Sequence, residues 1–356
     1  MIREVKSYYL TTSRITHFIL ECESHNGIPI VFVHDILSSS RFFKELMQRM
    51  PPNYHCYAYD LRGFGRSQSL PLDATKGLDD FSEDLQSLIE SLNLRRTHLV
   101  GWGLGGAVIM KYSINHSDRI LSLTLESPIS PYGLFGTKQE KGIPIFSDYS
   151  GSGIFPIARR IQNSIENRID NNDHFSMRNF FKYITCFPEY YSIDEETENE
   201  YINEIFLIKI GDDFFPGNNK ESENWPGWCP GDKGIFNAIS GKYHNVEEII
   251  NLNEKPPILW IRGEEDAVIS DKSLLDPIHM GISNIIEGYP GKDEYPYQPM
   301  IKQMKYVIDK YRERNGKAII AILEHCGHAP HIEKDNWFLS VLMMFLSNSD
   351  HLILYN

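Results

Sequence analysis

Hydrophobic and polar residues follow the rhythm of alternating strands and helices over the first third of the chain. The run from Ile28 to Val33 is apolar at almost every position, which predicts a strand buried on both faces. Further strands are predicted at residues 56–59, 97–102 and 120–125, and helices at residues 41–50, 78–92 and 107–114. Because strands that alternate with helices form βαβ units, the pattern predicts a mostly parallel sheet flanked by helices.

The rhythm stops after residue 127, where Pro, Gly, Asn and aromatic residues become frequent and no strand–helix repeat is visible. It resumes with predicted strands at 257–262 and 318–323 and predicted helices at 299–314 and 334–346. The sequence therefore predicts one α/β core formed by residues 1–127 and 255–356, with residues 128–254 inserted as a cap. An insertion of this length is large enough to be a module of its own.

The charge balance excludes one large class of partner. The 356 residues include 35 basic and 48 acidic side chains, for a formal net charge of −13, and no basic cluster that could hold a phosphate backbone. The amino terminus has no apolar core of signal-peptide length followed by small residues, and no stretch elsewhere reaches the roughly 18 to 20 apolar residues of a membrane-spanning helix. We therefore expect a cytoplasmic protein with a small-molecule partner, without nucleic acid or membrane. The oligomeric state is left open.

The five cysteines are odd in number and form no CxxC pair. They predict reduced, packed thiols, neither a disulfide framework nor a zinc site. No cofactor or metal is expected.

The most informative segment is THLVGWGLGG at residues 97–106, which reads as a buried strand, a glycine-rich turn and the start of a helix. Small residues at Gly101 and Gly105 would let strand and helix approach closely, with Gly103 at the apex. The letters also fit the dinucleotide pattern G-x-G-x-x-G. That fingerprint should follow the first strand of its unit, whereas three or more strands precede this turn.

The segment instead resembles the nucleophile elbow, G-x-S-x-G, of the α/β-hydrolase family. Other stretches resemble further family motifs: an H-G loop, a D-x-R-G-x-G-x-S loop, a G-x-x-D strand end and a G-H-x-P loop. In this sequence they read HDILSSSRFF (34–43), YDLRGFGRS (59–67), WIRGEEDAVIS (260–270) and EHCGHAPHIE (324–333). The resemblance covers nearly the whole chain and implies the α/β-hydrolase fold, with a mostly parallel twisted sheet flanked by helices and an inserted cap domain.

The resemblance implies a catalytic triad that lacks its first member. Gly103 stands at the nucleophile position, where the family has serine, while Asp266 is the implied acid and His328 the implied base. Glu126, at the end of the strand after the elbow, is the reserve candidate for the acid. The order elbow, acid, histidine along the chain is the one expected for this fold.

The same resemblance implies an oxyanion site built from the backbone amides of Ile36 and Leu104. Asp35 stands where the family usually has glycine, so its carboxylate is expected either to turn away or to recognise a cation. Trp102, beside the elbow, is predicted to contact the substrate. Asp60 and Arg62 are assigned structural roles.

Three histidines at three-residue spacing, His325, His328 and His331, invite a metal interpretation. Helical zinc motifs space their histidines by four with a glutamate between, and this stretch contains Gly and Pro instead. We therefore predict loop packing and hydrogen bonding for His325 and His331.

These features predict a carboxylic ester or lactone hydrolase that is inactive, or nearly so, because Gly103 replaces the serine. Two interpretations remain open: a serine esterase whose nucleophile was replaced to trap a ligand, or a naturally non-catalytic ligand-binding protein. Haloalkane or epoxide chemistry on this fold requires an aspartate at the elbow, and the surrounding sequence favours serine.

The segment 211–232 is rich in aromatic and acidic residues stiffened by Pro and Gly. Such a cap suits a large amphipathic ligand with a positive charge. We therefore expect a macrocyclic lactone such as a macrolide antibiotic, with a smaller ester as the alternative.

Overall fold

The computed structural model describes residues 2–153, 155–171 and 176–354. Large strands and short two- or three-residue strands are both present. They are β1 (Lys6–Thr11), β2 (Thr16–Cys22), β3 (Ile28–Val33), β4 (Tyr54–Tyr59), β5 (Thr97–Trp102), β6 (Ile120–Glu126), β7 (Thr137–Lys138), β8 (Ile143–Pro144), β9 (Ile210–Gly211), β10 (Phe215–Pro216), β11 (Asn219–Glu221), β12 (Trp228–Pro230), β13 (Ile258–Gly263) and β14 (Ala318–Leu323).

Eight of these strands form one sheet in the order β1-β2-β4-β3-β5-β6-β13-β14. The pairings of β2 with β1 and with β4 are antiparallel, and all the others are parallel. The predicted mostly parallel sheet is thus confirmed. Because the carboxyl ends of parallel strands share one edge, the turns that follow β3, β5, β13 and β14 meet there.

Helices cover this sheet and also fill the insertion. They are α1 (Lys44–Arg49), α2 (Asp79–Ser91), α3 (Leu104–His116), α4 (Phe155–Glu166), α5 (Met177–Phe180), α6 (Glu195–Ile205), α7 (Ile235–Ala238), α8 (Pro277–Ile282), α9 (Met300–Glu313), α10 (Pro330–Glu333) and α11 (Asp335–Leu354). The helix predicted at 41–50 begins as a 3₁₀ turn at Ser40–Phe43, and the closing helix runs eight residues past its predicted end. Across the described ranges, no helix combines the length and apolarity needed to cross a membrane.

The chain leaves the large sheet at the end of β6 and returns to it at β13. Between them lie α4 to α7 and three two-stranded pairs, and no described strand of this stretch joins the large sheet. Residues 154 and 172–175 of the predicted cap lie outside the described residues. This stretch consists of short strands and helices in no regular order, which explains why its sequence shows no repeating strand–helix pattern.

The loop after β4 is held by buried charged groups. Arg62 makes a forked contact with Asp84 of α2, at 2.6 and 2.7 Å, and both side chains are nearly inaccessible. Asp60 accepts hydrogen bonds from the amides of Ser40 and Arg66, each at 2.8 Å. These contacts tie the loop after β3 to the loop after β4, which is an architectural role.

Candidate active site

The turn after β5 has the shape expected of a nucleophile elbow. Gly103 sits at φ 54° and ψ −109°, a left-handed conformation that disfavours residues with a side chain. A Cβ on Gly105 would lie 1.9 Å from the carbonyl oxygen of Val33, so strand and helix could not approach this closely with a larger residue. The predicted reason for the small residues is thus present in the packing.

Asp266 and His328 meet beside this turn. The Asp266 carboxylate accepts hydrogen bonds from the amides of Val268 and Ile269 at 2.8 and 2.9 Å through Oδ1. Its Oδ2 atom lies 2.9 Å from Nδ1 of His328, and both side chains are buried. The amides fix the carboxylate, and the carboxylate in turn fixes the orientation of the imidazole ring.

Asp35 occupies the place of the missing nucleophile. Its Oδ1 atom accepts a hydrogen bond from the Leu104 amide at 2.6 Å, and Oδ2 lies 3.2 Å from Nε2 of His328. A Cβ on Gly103 would come within 2.0 Å of Oδ1. Of the two alternatives left open for Asp35, the structure has the second: the side chain points into the site, and the cation it faces is a histidine of the same chain.

The same contact corrects the predicted oxyanion site. The Leu104 amide was expected to be free for a substrate oxygen, but the Asp35 carboxylate already accepts its proton. The amide of Ile36 makes no hydrogen bond within the described part of the chain, and Ile36 lines the adjoining cavity. One of the two expected donors is thus occupied from within the protein.

A buried histidine holds the backbone of Asp35. His34 accepts the Leu61 amide proton at Nε2 at 3.0 Å, so its Nδ1 atom can donate to the carbonyl oxygen of Asp35 at 2.7 Å. Burial lowers the pKa of His34, which keeps the ring neutral. The Ser38 hydroxyl donates to the same carbonyl at 2.8 Å. Two side chains thus donate to the same backbone carbonyl oxygen of Asp35.

His328 lies between two carboxylates. Burial alone would lower the pKa of this ring, but the charges and hydrogen bonds of Asp266 and Asp35 outweigh burial and raise it to about 10. Ionised carboxylates only accept hydrogen bonds, so both ring nitrogens donate and the ring is an imidazolium at neutral pH. A protonated ring cannot act as the base that a serine nucleophile would need.

This charge arrangement predicts a pH-dependent stability. The folded-state pKa of about 10 lies above the ordinary value of 6.5, so the stabilisation is complete below pH 6.5 and is lost as the pH rises through 10. We expect the free energy of unfolding of the wild type, relative to His328→Gln, to fall by about 4 kcal/mol over this interval. Urea unfolding of both proteins across the pH series measures it. A constant difference between them would contradict the imidazolium assignment.

Trp102 does not contact the cavity as predicted. The indole is 1% exposed, and its Nε1 atom donates to the carbonyl oxygen of His328 at 2.8 Å. Its role is therefore to hold the histidine loop against the elbow strand. Because Trp102 is not among the residues that line the cavity, it is not placed to bind a substrate there.

Glu126, the reserve acid, serves a different histidine. Its Oε1 atom accepts hydrogen bonds from both the backbone amide and Nδ1 of His331, each at 2.8 Å. His325 stacks on Tyr190 with ring centroids 4.7 Å apart. His325 and His331 thus pack and hydrogen-bond, as expected, and Asp266 is the carboxylate that faces His328.

A residue that the sequence reasoning missed shapes the histidine loop. Glu333, at the end of α10, accepts hydrogen bonds from the amides of Gly327 and Ala329, on either side of His328. It also accepts the Phe187 amide proton at 2.7 Å, from the insertion. Burial raises the pKa of Glu333, although these amide protons oppose the change. The only sequence signal is its place in the H-I-E stretch that follows the histidine.

A small cavity of about 50 Å³, partly open to solvent, adjoins these groups. Of the described residues that line it, only Asp35 and His328 are ionisable. The remaining lining residues are Gly103 and Thr185 together with the apolar residues Ile36, Leu37, Ile129, Leu134, Ile161, Phe180, Phe236, Val268, Ile269 and Leu275. They come from both the core and the insertion, which is why no single sequence motif marks them.

The aromatic and acidic segment of the insertion, residues 211–232, does not line this cavity. Trp228 packs in a small buried cluster with Phe155 and Met280. Trp225 contacts the rings of Tyr289 and Tyr295. None of the described residues of the segment 211–232 lines the cavity beside His328. The expectation that these side chains face the ligand is therefore not met by this cavity.

A sequence profile of the alpha/beta hydrolase fold family matches residues 28–279, more than two thirds of the chain. The chain belongs to this family. Among curated α/β-hydrolase relatives, it is 32% identical over 120 residues to the non-heme chloroperoxidase CPO-A1 of Kitasatospora aureofaciens, a match that covers 33% of this chain and 43% of that protein. It is 24% identical over 129 residues to the carboxylesterase YbfK of Bacillus subtilis, covering 36% and 43% of the two. The matches thus span less than half of either relative.

Solved structures of esterases resemble the chain over almost its full length. The carboxylesterase CesB (YbfK) from Bacillus subtilis superposes with a TM-score of 0.59 at 16% identity, covering 96% of this chain and 92% of that one. The esterase EaEST from Exiguobacterium antarcticum superposes with a TM-score of 0.60 at 14% identity, covering 96% and 100%. At such identities the likeness concerns the fold alone.

Proposed function

We propose that the protein hydrolyses a small, apolar carboxylic ester or lactone. The observation that carries this proposal is the cavity itself, whose apolar lining opens onto a single polar end formed by Asp35 and His328. An apolar cleft with a few convergent polar groups is the usual form of a small-molecule site. Membership of a hydrolase family and the Asp266–His328 pair support the same reaction class.

Hydrolysis through an acyl-serine is not open to this chain, because Gly103 has no side chain. We infer that the protein is inactive, or nearly so, by that route. The Asp35 carboxylate fills the space that a side chain at 103 would need. This mutual fit favours Gly103 and Asp35 as a matched pair over a single replacement of serine in an otherwise ordinary esterase.

The cavity lining favours a small substrate over a macrolide. A cationic amino sugar would be recognised by carboxylates and aromatic faces. Among the described residues that line the cavity, Asp35 is the only carboxylate, and it is already paired with His328. The macrolide and the cytoplasmic location stay predictions. A non-catalytic binding protein is the second candidate function, favoured by the occupied Leu104 amide.

The proposal is tested by a series of benzyl esters, from acetate to decanoate, and small lactones, with a macrolide bearing a dimethylamino sugar as a large comparison. We expect slow turnover of the short substrates that is lost in His328→Gln. We further expect Leu134→Trp, which fills the cavity, to raise KM for the short esters about tenfold, since overpacking costs about 1 to 3 kcal/mol.

The matched control is Leu207→Trp, because Leu207 lies in the same insertion and is 37% exposed. Its KM should equal that of the wild type. Ligand binding without any His328-dependent turnover would support the binding protein instead. Neither binding nor turnover of any ester or lactone would overturn the proposal.

A further inference from the structure

The Asp35 carboxylate has the contacts of a nucleophile, although it comes from a different loop than the elbow. One oxygen is held by the Leu104 amide at 2.6 Å and the other faces His328 at 3.2 Å. The side chain is 15% exposed and lines the cavity. It is therefore accessible to a bound molecule. The group that holds it, the Leu104 amide, belongs to the residue directly after the nucleophile position 103.

We propose that Asp35 is the nucleophile, and that it attacks the alkyl carbon of a bound ester or lactone and breaks the alkyl carbon–oxygen bond. This rests on the proposed function and specifies which bond of the substrate is cleaved. Carboxylates serve as covalent nucleophiles in other enzymes and, being ionised at neutral pH, need no base to activate them. The glycine at 103 leaves the space that the carboxylate occupies.

The Leu104 amide, which already binds Asp35, favours attack on the alkyl carbon of an ester over attack on its carbonyl carbon. Attack on the carbonyl carbon would create an oxyanion, and the Leu104 amide that should stabilise it already binds Asp35. The carboxylate would also be a better leaving group than an alkoxide, so a tetrahedral adduct would return to substrate. Attack on a saturated carbon creates no oxyanion on the substrate, and the departing carboxylate is weakly basic and needs no proton.

In the first step, a lone pair of Asp35 Oδ2 forms a bond to the alkyl carbon. The alkyl carbon–oxygen bond breaks, and its electron pair leaves on the substrate carboxylate. The product of this step is an ester of Asp35. Its formation removes one of the two negative charges beside His328, so the pKa of the ring falls and its extra proton is released to solvent.

In the second step, neutral His328 takes a proton from water, and the resulting hydroxide attacks Cγ of Asp35. The negative charge develops on Oδ1, which already faces the Leu104 N–H at 2.6 Å. The intermediate then releases the alcohol, which takes its proton from His328, and the Asp35 carboxyl returns its own proton to His328. The sum is one ester and one water converted to a carboxylate, an alcohol and one proton.

This mechanism favours a substrate with an unhindered or strained alkyl carbon. A β-lactone meets the requirement, because opening the ring at the alkyl carbon relieves its strain and needs no acid. A short alkyl substituent on the ring would lie among the apolar side chains of the cavity, such as Leu134, Ile161 and Phe236. The substrate class is therefore a small apolar lactone of this type.

The test uses enantiopure β-butyrolactone and the full chain in water enriched in ¹⁸O. Over many turnovers we expect the label in the hydroxyl group of the hydroxy acid, with inverted configuration at that carbon. We expect Asp35→Asn to lower turnover by about 10²-fold or more. In His328→Gln, the mass of one substrate should accumulate on the peptide that contains Asp35.

Glu265→Gln is the matched control, since Glu265 is an exposed carboxylate next to Asp266. It should turn over, label and invert as the wild type does, and circular dichroism of each variant checks that it is folded. Label in the carboxylate with retained configuration would overturn Asp35 as nucleophile while leaving the lactone hydrolase in place. No turnover of any ester or lactone would overturn both proposals.

Discussion

We expect the double variant Asp35→Gly/Gly103→Ser to hydrolyse short p-nitrophenyl esters at least about 10²-fold faster than the wild type, because the two changes together restore a complete serine site. Glycine at 35 frees the Leu104 amide for the oxyanion and removes the carboxylate that holds His328 protonated. The serine then occupies the vacated space, with neutral His328 as its base. Initial rates of p-nitrophenol release measure the effect.

The two single variants are the controls. Gly103→Ser alone should gain little, because its Cβ would meet Oδ1 of Asp35 at 2.0 Å unless the carboxylate rotates away. Asp35→Gly alone has neither nucleophile and should be the least active. The ¹⁸O label should enter the acid product of the double variant, since an acyl-serine is cleaved at the carbonyl carbon. Equal gains from Gly103→Ser and from the pair would show that Asp35 does not block the site.

Glu333→Ala should lower the free energy of unfolding by about 4 kcal/mol, because it leaves three amide protons around His328 without acceptors and each costs about 1 to 3 kcal/mol. The amides are those of Phe187, Gly327 and Ala329. The loop that carries His328 loses its support, so turnover should fall as well. Urea unfolding and the rates of lactone hydrolysis measure the two effects.

Glu333→Gln keeps one oxygen as an acceptor and should recover part of both losses. The control for a lost carboxylate is Glu264→Ala. Glu264 is exposed and directly follows β13, the strand that pairs with β14, after which the histidine loop begins. Its unfolding free energy should stay within about 0.5 kcal/mol of the wild type. If Glu333→Ala were as mild as this control, the amide contacts would not hold the loop.

Much of the fold could be predicted because local patterns carry it. The apolar run at Ile28–Val33 is typical of a strand with neighbours on both sides, and the helix predicted at 78–92 is observed as Asp79–Ser91. Glycines 101 and 105 indicated a close strand–helix approach, which the packing contains. The insertion was harder to predict, because its short elements are stabilised by contacts between distant residues and leave no period in the sequence.

The candidate site was predicted in part. Gly103, Asp266 and His328 follow three different strands, and the parallel sheet brings them to one edge. The side chain of Trp102 supports the histidine loop, which differs from its predicted role. For Asp35 two orientations had been left open, and in the structure it turns inward. A signal for Asp35 did exist. The sequence has an aspartate at position 35, where the family usually has glycine, and a glycine at position 103, where the family has the nucleophilic serine.

The sequence by itself determined the family, the order of the core strands along the chain and the absence of a side chain at the elbow. These depend on local periodicity and on motifs of a few residues, which carry their own signal. Only the tertiary structure decided what fills the gap at Gly103. That depends on the direction of the Asp35 carboxylate, which comes from another loop and pairs with the Leu104 amide and His328. His34 and Ser38 hold the backbone carbonyl of the same residue. The contacts of the carboxylate join residues far apart in sequence, so they depend on how the loops pack at the sheet edge.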